Sequence, residues 1–304
     1  MNWIAFAFLS AQLFTFVYFF DKFVVTSVIK DYRGMPIFGG ITGFIVGTLF
    51  WFIAGSPVLP LVDACLLLLS GVFTIWAGVL YFGAVSKADT SLIIIICRLA
   101  TVFTLIFSAI FLNQFISINQ FIGFCIILLS ILGISLSKGK HTGANGNGNI
   151  KSVIWRLMIA NLMWSLASIF VGLALNATQF SHILSYESWG IGLGGLLMFI
   201  FLPNVRNAFF SGVKQGGIKS FALIFTNEII FVTAKSVQFY TFTLGPIALV
   251  SVITDTQVFM GIILGIVLSL LFPKHFKENL SLKHIAGKLV WGVLIFIGIL
   301  FVNS

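Results

Sequence analysis

The feature that most narrows what this chain can become is a recurrence of apolar runs, each about 18 to 25 residues long. Each run is long enough to cross a hydrocarbon core of about 30 Å as a helix. Ten such spans can be marked, at about 3–20, 36–54, 61–85, 90–112, 118–136, 152–175, 183–202, 218–241, 246–271 and 285–302. A transmembrane barrel would show segments of about 10 residues with alternating polarity instead, and no stretch here alternates in that way. Composition agrees, with 59% hydrophobic and 8% charged residues against roughly 25% charged in a soluble domain. The expectation is an all-α polytopic membrane protein. The first span lacks a basic leader and outruns a signal-peptide core, so it reads as a retained helix.

The formal net charge of +9 invites an anionic partner, but the positions of the charges give a better account, and no nucleic acid is expected. Apart from Arg98 and Lys235, the other fifteen Lys and Arg fall in or beside the loops after spans one, three, five, seven and nine. They are Lys22, Lys30 and Arg33; Lys87; Lys138, Lys140, Lys151 and Arg156; Arg206, Lys214 and Lys219; and Lys274, Lys277, Lys283 and Lys288. By the positive-inside rule those loops are cytoplasmic, and both termini are extracytoplasmic in the cell (plasma) membrane. Cys65, Cys97 and Cys125 all fall within spans, where a thiol serves as a small apolar residue. Neither a disulfide framework nor a metal site is implied.

The longest polar segment, SKGKHTGANGNGN at 137–149, has no apolar periodicity and reads as a flexible linker. It divides the chain into residues 1–136, a Gly/Asn-rich linker at 137–151, and residues 152–304. Sliding the halves over one another at an offset of 157 lays ADTSLIIIICRLATVF (88–103) on GPIALVSVITDTQVFM (245–260). That register sets Arg98 opposite Asp255. With five spans in each half, the halves enter the membrane in opposite directions, giving two inverted five-helix repeats. Transporters of that design hold their substrate near the bilayer midplane, between the repeats.

The segment YFGAVSKADTSLIIIICRLATVFTLIFSAIFLNQFISINQFIGFCIILLSILGISL (81–136) places small residues before a helix, a polar-to-Val-Phe step at its middle, a Leu-Phe-Leu-type exit and a closing apolar helix. It resembles the third-to-fifth-span pattern of the drug/metabolite transporter superfamily, in its ten-span branch with two EamA-type repeats. LGPIALVSVITDTQVFMGIILGIVLSLLFP (244–273) resembles the second copy. The resemblance implies two inverted five-helix units around a central cavity, and secondary transport of a small metabolite. The chain departs from the family pattern at three places. Thr101 stands where a Pro is usual, and Asn113-Gln114 stand where Gly-Glu is often found. The loop AGSPVLPLVD after span two carries no basic residue, so the charge distribution favours an orientation opposite to that of many members.

Two buried charges draw attention first. Arg98 lies about nine residues into its span, roughly 13 Å below the surface, and Asp255 lies at a similar depth from the other side. An ionised side chain there costs about 2.5 to 3.5 kcal/mol, so it faces the protein interior and finds a partner. Either the two lock the halves together as a salt bridge, or Arg98 takes a substrate carboxylate or phosphate through its planar fork. The second reading favours an anionic or zwitterionic substrate. The eighth span places Glu228, Lys235 and Gln238 on one helical face. Glu228, nearer the middle and cut off from water, is a candidate proton carrier, whereas the Lys235 stem can snorkel to the interface. Trp76, Trp164 and Tyr18 sit centrally enough to form an aromatic wall for an organic cation or ring. Packing among 35 Phe is the competing account.

Thr254, Thr256 and Gln257 flank Asp255, and Asn161, Ser165 and Ser168 share a face of span six; such side chains ordinarily bridge helices. Glu187 reads as a carboxylate at the water interface, and Asp21-Lys22 as a solvated helix end. Gly39, Gly43 and Gly47 in span two, and Gly190 and Gly194 in span seven, have spacing that permits close helix contact. The four His are scattered without metal-ligand spacing, and no phosphate-cradling Gly-Lys loop occurs. No cofactor or catalytic group is therefore expected. The best reading is a permease working by alternating access on a small polar or zwitterionic metabolite, its site drawn from Arg98, Asp255, Glu228, Lys235, Trp76, Trp164, Gln257 and Tyr18. The alternatives are a flippase for a lipid-linked headgroup, an intramembrane enzyme using Glu228 or Asp255, and a passive scaffold. The lipid bilayer is a certain partner on this reading; a coupling proton and a homodimer stay open.

Overall fold

The computed structural model describes residues 3–29, 31–87, 90–137, 150–175 and 179–271, together with 290, 291, 293, 294, 297, 298 and 301. Most of the linker, the last basic loop and most of the tenth span lie outside the described residues. All regular structure among them is helical. α1 (Trp3–Phe23) is prolonged by a π-helical turn (Val24–Val28), and a 3-10 turn (Tyr32–Gly34) leads into α2 (Met35–Ile53). There follow α3 (Leu61–Val85), α4 (Thr90–Cys97), α5 (Leu99–Phe111) and α6 (Ile118–Ser137). The second half contributes α7 (Ile150–Ala174), α8 (Phe180–Phe201), α9 (Pro203–Phe242), α10 (Ile247–Thr254) and α11 (Gln257–Leu271).

Six helical segments among the described residues are long and apolar enough to cross a membrane: Trp3–Val28, Tyr32–Ile53, Leu61–Val85, Lys151–Ala174, Phe180–Phe201 and Ile247–Leu271. Large apolar side chains such as Phe52, Leu61, Leu129 and Phe201 lie more than 60% exposed. A lipid solvent requires such an outer face and water penalises it. The protein is a multi-pass membrane protein.

Three boundaries differ from expectation. The fourth and ninth spans are each broken, one at Arg98 between α4 and α5, the other at Asp255-Thr256 between α10 and α11. The segment 203–217, expected as a loop, is helical, and α9 runs unbroken for 40 residues. Pro203 opens that helix at a position where a missing N–H costs nothing, and no later proline interrupts it. At 1.5 Å per residue it is about 60 Å long, twice a hydrocarbon thickness of about 30 Å. The first span also runs on through the π turn, which draws Asp21 inward from the end it was expected to occupy.

Glycine sets the closest packing. A Cβ added to Gly40 of α2 would lie 2.9 Å from the Cα of Gly195 on α8, and one on Gly43 would lie 2.8 Å from the Ser188 carbonyl. On the other side of α8, Gly190 meets the Leu68 carbonyl of α3 and Gly194 meets the Ile75 side chain. α8 is therefore wedged between α2 and α3 on backbone contacts, as the small-residue spacing in spans two and seven leads one to expect.

The basic loops converge at one end of the bundle. Lys22 donates to the Val85 carbonyl at 2.7 Å, Arg156 reaches the Tyr32 hydroxyl at 3.4 Å, and Gly34 packs on the Ala208-Phe209 backbone. At the opposite end Tyr186 donates to the Pro57 carbonyl at 3.1 Å, Gln114 accepts from the Ile247 N–H at 3.2 Å, and Gly245 packs on Trp3.

Candidate functional site

The break at Arg98 begins with hydrogen bonding. Interrupting a helix inside a membrane frees backbone carbonyls that must find partners within the protein. The Asn161 side-chain amide of α7 donates to the Ile96 carbonyl at 2.8 Å, and the Ser165 hydroxyl donates to the Ala100 carbonyl at 2.7 Å. The polar face of span six is thus the splint of the broken fourth span. Across the bundle, the Asp255 and Thr256 amides bond back to Ser251 and Ile253, tightening the last turn of α10. The two breaks put Arg98 and Asp255 at the ends of α4 and α10, facing each other.

They pair directly. Arg98 Nη1 donates to Asp255 Oδ1 at 2.8 Å, Nη2 donates to the Tyr18 hydroxyl at 3.2 Å, and Nε donates to the Ile94 carbonyl at 2.9 Å. With its amide oxygen turned inward, Gln257 accepts from both terminal nitrogens. Arg98 and Asp255 are 6% and 2% exposed. The guanidinium fork is therefore occupied by the protein's own groups, and the expected bidentate capture of an anion would first have to displace Asp255.

These residues border an internal cavity of about 210 Å³ lined by every described helix except α6. Tyr18, Arg98, Trp164, Glu228, Lys235, Asp255 and Gln257 all line it. Trp76 is the exception among the expected site residues. Its indole N–H donates to the Gly194 carbonyl at 3.3 Å and the ring is turned away from the cavity lining, more than a third exposed. Trp164 does form wall, donating to the Thr74 carbonyl at 3.3 Å and packing on Tyr81 at 5.5 Å between ring centres.

Two polar clusters were not foreseen. Glu187 is 1% exposed and forms an ion pair with Lys235, whose ammonium also reaches the Thr74 hydroxyl at 3.3 Å. The interfacial placement expected for Glu187 is corrected: it lies within α8, in the packed α3–α8–α9 region, and Lys235 is held there rather than snorkelling outward. Asp21, expected to be solvated, is 4% exposed and accepts from the Tyr81 hydroxyl at 2.8 Å and the Asn227 amide at 2.6 Å. The one signal available in the sequence was the apolar VVTSVI immediately after Asp21-Lys22-Phe23, which prolongs the helix.

Glu228 differs from all of these. It is 9% exposed, lines the cavity, and makes no hydrogen bond or ion pair among the described residues. Its carboxylate points toward Gly39 of α2, with an oxygen 3.4 Å from where a Cβ there would sit. No group of three or more His, Cys, Asp or Glu arranged for a metal ion occurs among the described residues.

Comparison with known proteins agrees with this architecture. One solved structure, described only as a crystal structure of a protein, superposes with a TM-score of 0.69 at 12% identity, over 99% of this chain and 95% of the other. At that identity the likeness concerns the fold alone. No curated protein matches the chain. Residues 1–136 match the model of the EamA-like transporter family. Over that segment, which is less than half of the chain, the protein is similar to the EamA-like transporter family.

Proposed function

We propose that the protein is a secondary transporter that moves a small polar or zwitterionic metabolite by alternating access, in the plasma membrane, with the cavity as its binding site. The family match supports membrane transport; the specific reading rests chiefly on one observation. Two broken helices meet at the cavity with a buried ion pair between their ends, and discontinuous helices of this kind build midplane sites in transporters. The same reading takes the described helices as part of ten spans in two inverted five-helix repeats.

Arg98–Asp255 ties residues 157 apart in sequence, one from each half. A contact of that kind is suited to opening and closing as one half rocks against the other. Tyr18, Gln257 and Trp164 would then meet the substrate, with Lys235 held in place at the wall by its ion pair with Glu187. The test is uptake of a labelled metabolite panel into proteoliposomes, comparing the native protein with Arg98→Ala and Asp255→Asn. Saturable uptake by the native protein that both variants abolish supports the reading. No uptake of any panel member above empty liposomes sinks it.

A further inference from the structure

We infer that the cavity holds a receptor for a protonated amine of the transported molecule, built from the Glu228 carboxylate with Asp21 and the free amide oxygen of Asn227. The inference rests on the transport reading and assigns one end of its substrate. It begins with charge pairing among the cavity residues. Asp255 is neutralised by Arg98, and Lys235 by Glu187. The remaining carboxylates lining the cavity are Asp21 and Glu228, within electrostatic reach of each other. Asp21 takes its hydrogen bonds from two neutral donors, Tyr81 and Asn227.

Everything left over at this pole is an acceptor. Glu228 has no partner among the described residues although nine-tenths buried, and the Asn227 Oδ1 is buried without a donor. A buried acceptor left unmet is costly, more so when charged. An ammonium group supplies three donors and one positive charge, and so answers both deficits at once. Phe231, three residues beyond Glu228 on the same helical face, lines the cavity and packs edge-on against Phe14 at 6.1 Å between ring centres. The Lys235 ammonium already lies 5.7 Å from the centre of the Phe231 ring, so Phe231 contributes apolar wall and not a free face for a second cation. Lys235, seven residues along α9, lies roughly 10 Å away along the helix axis and is held by Glu187, so it leaves Glu228 free.

The experiment uses the full-length protein purified in detergent and three probes sharing one ring: phenethylamine, phenethyl alcohol and 3-phenylpropionate. Thermal unfolding is followed against probe concentration, because a ligand that binds the folded state raises Tm by mass action. Phenethylamine is expected to raise Tm, and the other two are not. Glu228→Gln and Glu228→Met should each weaken the phenethylamine response about tenfold to a hundredfold, the loss expected when a charge-assisted hydrogen bond is removed. Without probe, both variants should unfold at or above the native Tm, because an unmet buried carboxylate has been removed.

The inference is overturned if phenethylamine acts equally on both Glu228 variants, or if 3-phenylpropionate is the probe that stabilises the native protein. It is also overturned if sodium chloride, against choline chloride, reproduces the whole Glu228-dependent rise, since the occupant would then be an inorganic cation. Failure of the transport reading looks different. A Glu228-dependent amine response with no uptake into proteoliposomes leaves the receptor standing and removes transport. Uptake that is indifferent to Glu228→Gln, with no amine response, does the reverse.

Discussion

Arg98 spends its hydrogen-bonding capacity inside the protein, on Asp255, Tyr18, Ile94 and Gln257. Removing one partner of such a pair leaves an uncompensated charge in a low-dielectric interior, at a cost of about 3–5 kcal/mol. Asp255→Ala should therefore lower stability by that order in detergent unfolding. Arg98→Met combined with Asp255→Leu should restore most of it, because an apolar replacement of the whole pair avoids the desolvation. If transport needs the pair, the double variant is stable and inactive; a stable, active double variant would make the pair purely structural. An exposed pair behaves differently. Arg33 holds the Asp31 carboxyl below its ordinary range through direct hydrogen bonds, so that pair's contribution is present above the unfolded carboxylate pKa of about 4 and is lost as pH falls through the lower folded value. With Arg33 nearly half exposed, Asp31→Asn should change stability by less than about 1 kcal/mol at neutral pH. The Arg98–Asp255 pairing was legible because the repeat register brought the two together. Asp21 and Glu187 were not, because their partners Tyr81, Asn227 and Lys235 lie 48 to 206 residues away and only tertiary packing brings them near.

Helix ends and helix contacts explain one of the family departures and much of the fold. Asn113 ends α5 with a φ of 53°, and the Gln114 N–H bonds back to the Ser108 carbonyl at 3.2 Å. Asn takes the left-handed position that Gly would otherwise fill, and Gln114 uses its side chain to accept from the first N–H of α10. Asn113-Gln114 thus does the turning and capping that Gly-Glu suggests, and adds a tie between the halves. Asn113→Gly should be nearly neutral in stability, whereas Asn113→Val should cost about 1–2 kcal/mol for its left-handed backbone. At the α2–α8 crossing, Gly40→Leu forces side-chain atoms into the Gly195 backbone and should cost about 1–3 kcal/mol by overpacking. Thermal unfolding of each purified variant checks both. The glycine spacing in spans two and seven made this crossing readable. The break at Arg98 was not readable, since IIIICRLATVF contains neither Gly nor Pro; the splinting hydroxyl and amide come from α7, more than 60 residues on.

Across the whole molecule, sidedness is the property that one charge count carries. The fifteen basic residues other than Arg98 and Lys235 lie in or beside alternate loops, and the contacts Lys22–Val85, Arg156–Tyr32 and Gly34–Phe209 gather those of the first four at one end. Up-and-down threading was therefore legible from sequence, because a charge near each helix end cannot cross the bilayer cheaply. The 40-residue α9 escaped the same reading, since the polar stretch 203–217 looks like a loop to any hydropathy rule although the helix runs through it unbroken. Which end faces the cytoplasm is a separate matter, and the positive-inside rule makes it testable. Ser56 follows the exposed Gly55 in the left-handed turn after α2 and is itself partly buried, and Lys87 follows α3 at the other end. In a Cys65→Ala background, Ser56→Cys should react with a membrane-impermeant maleimide in intact cells, and Lys87→Cys only after permeabilisation. Reversed reactivity would turn the protein over in the membrane. It would also place the Asp21–Glu228 pole, which lies toward the Lys22–Val85 end of the bundle, nearer the outside.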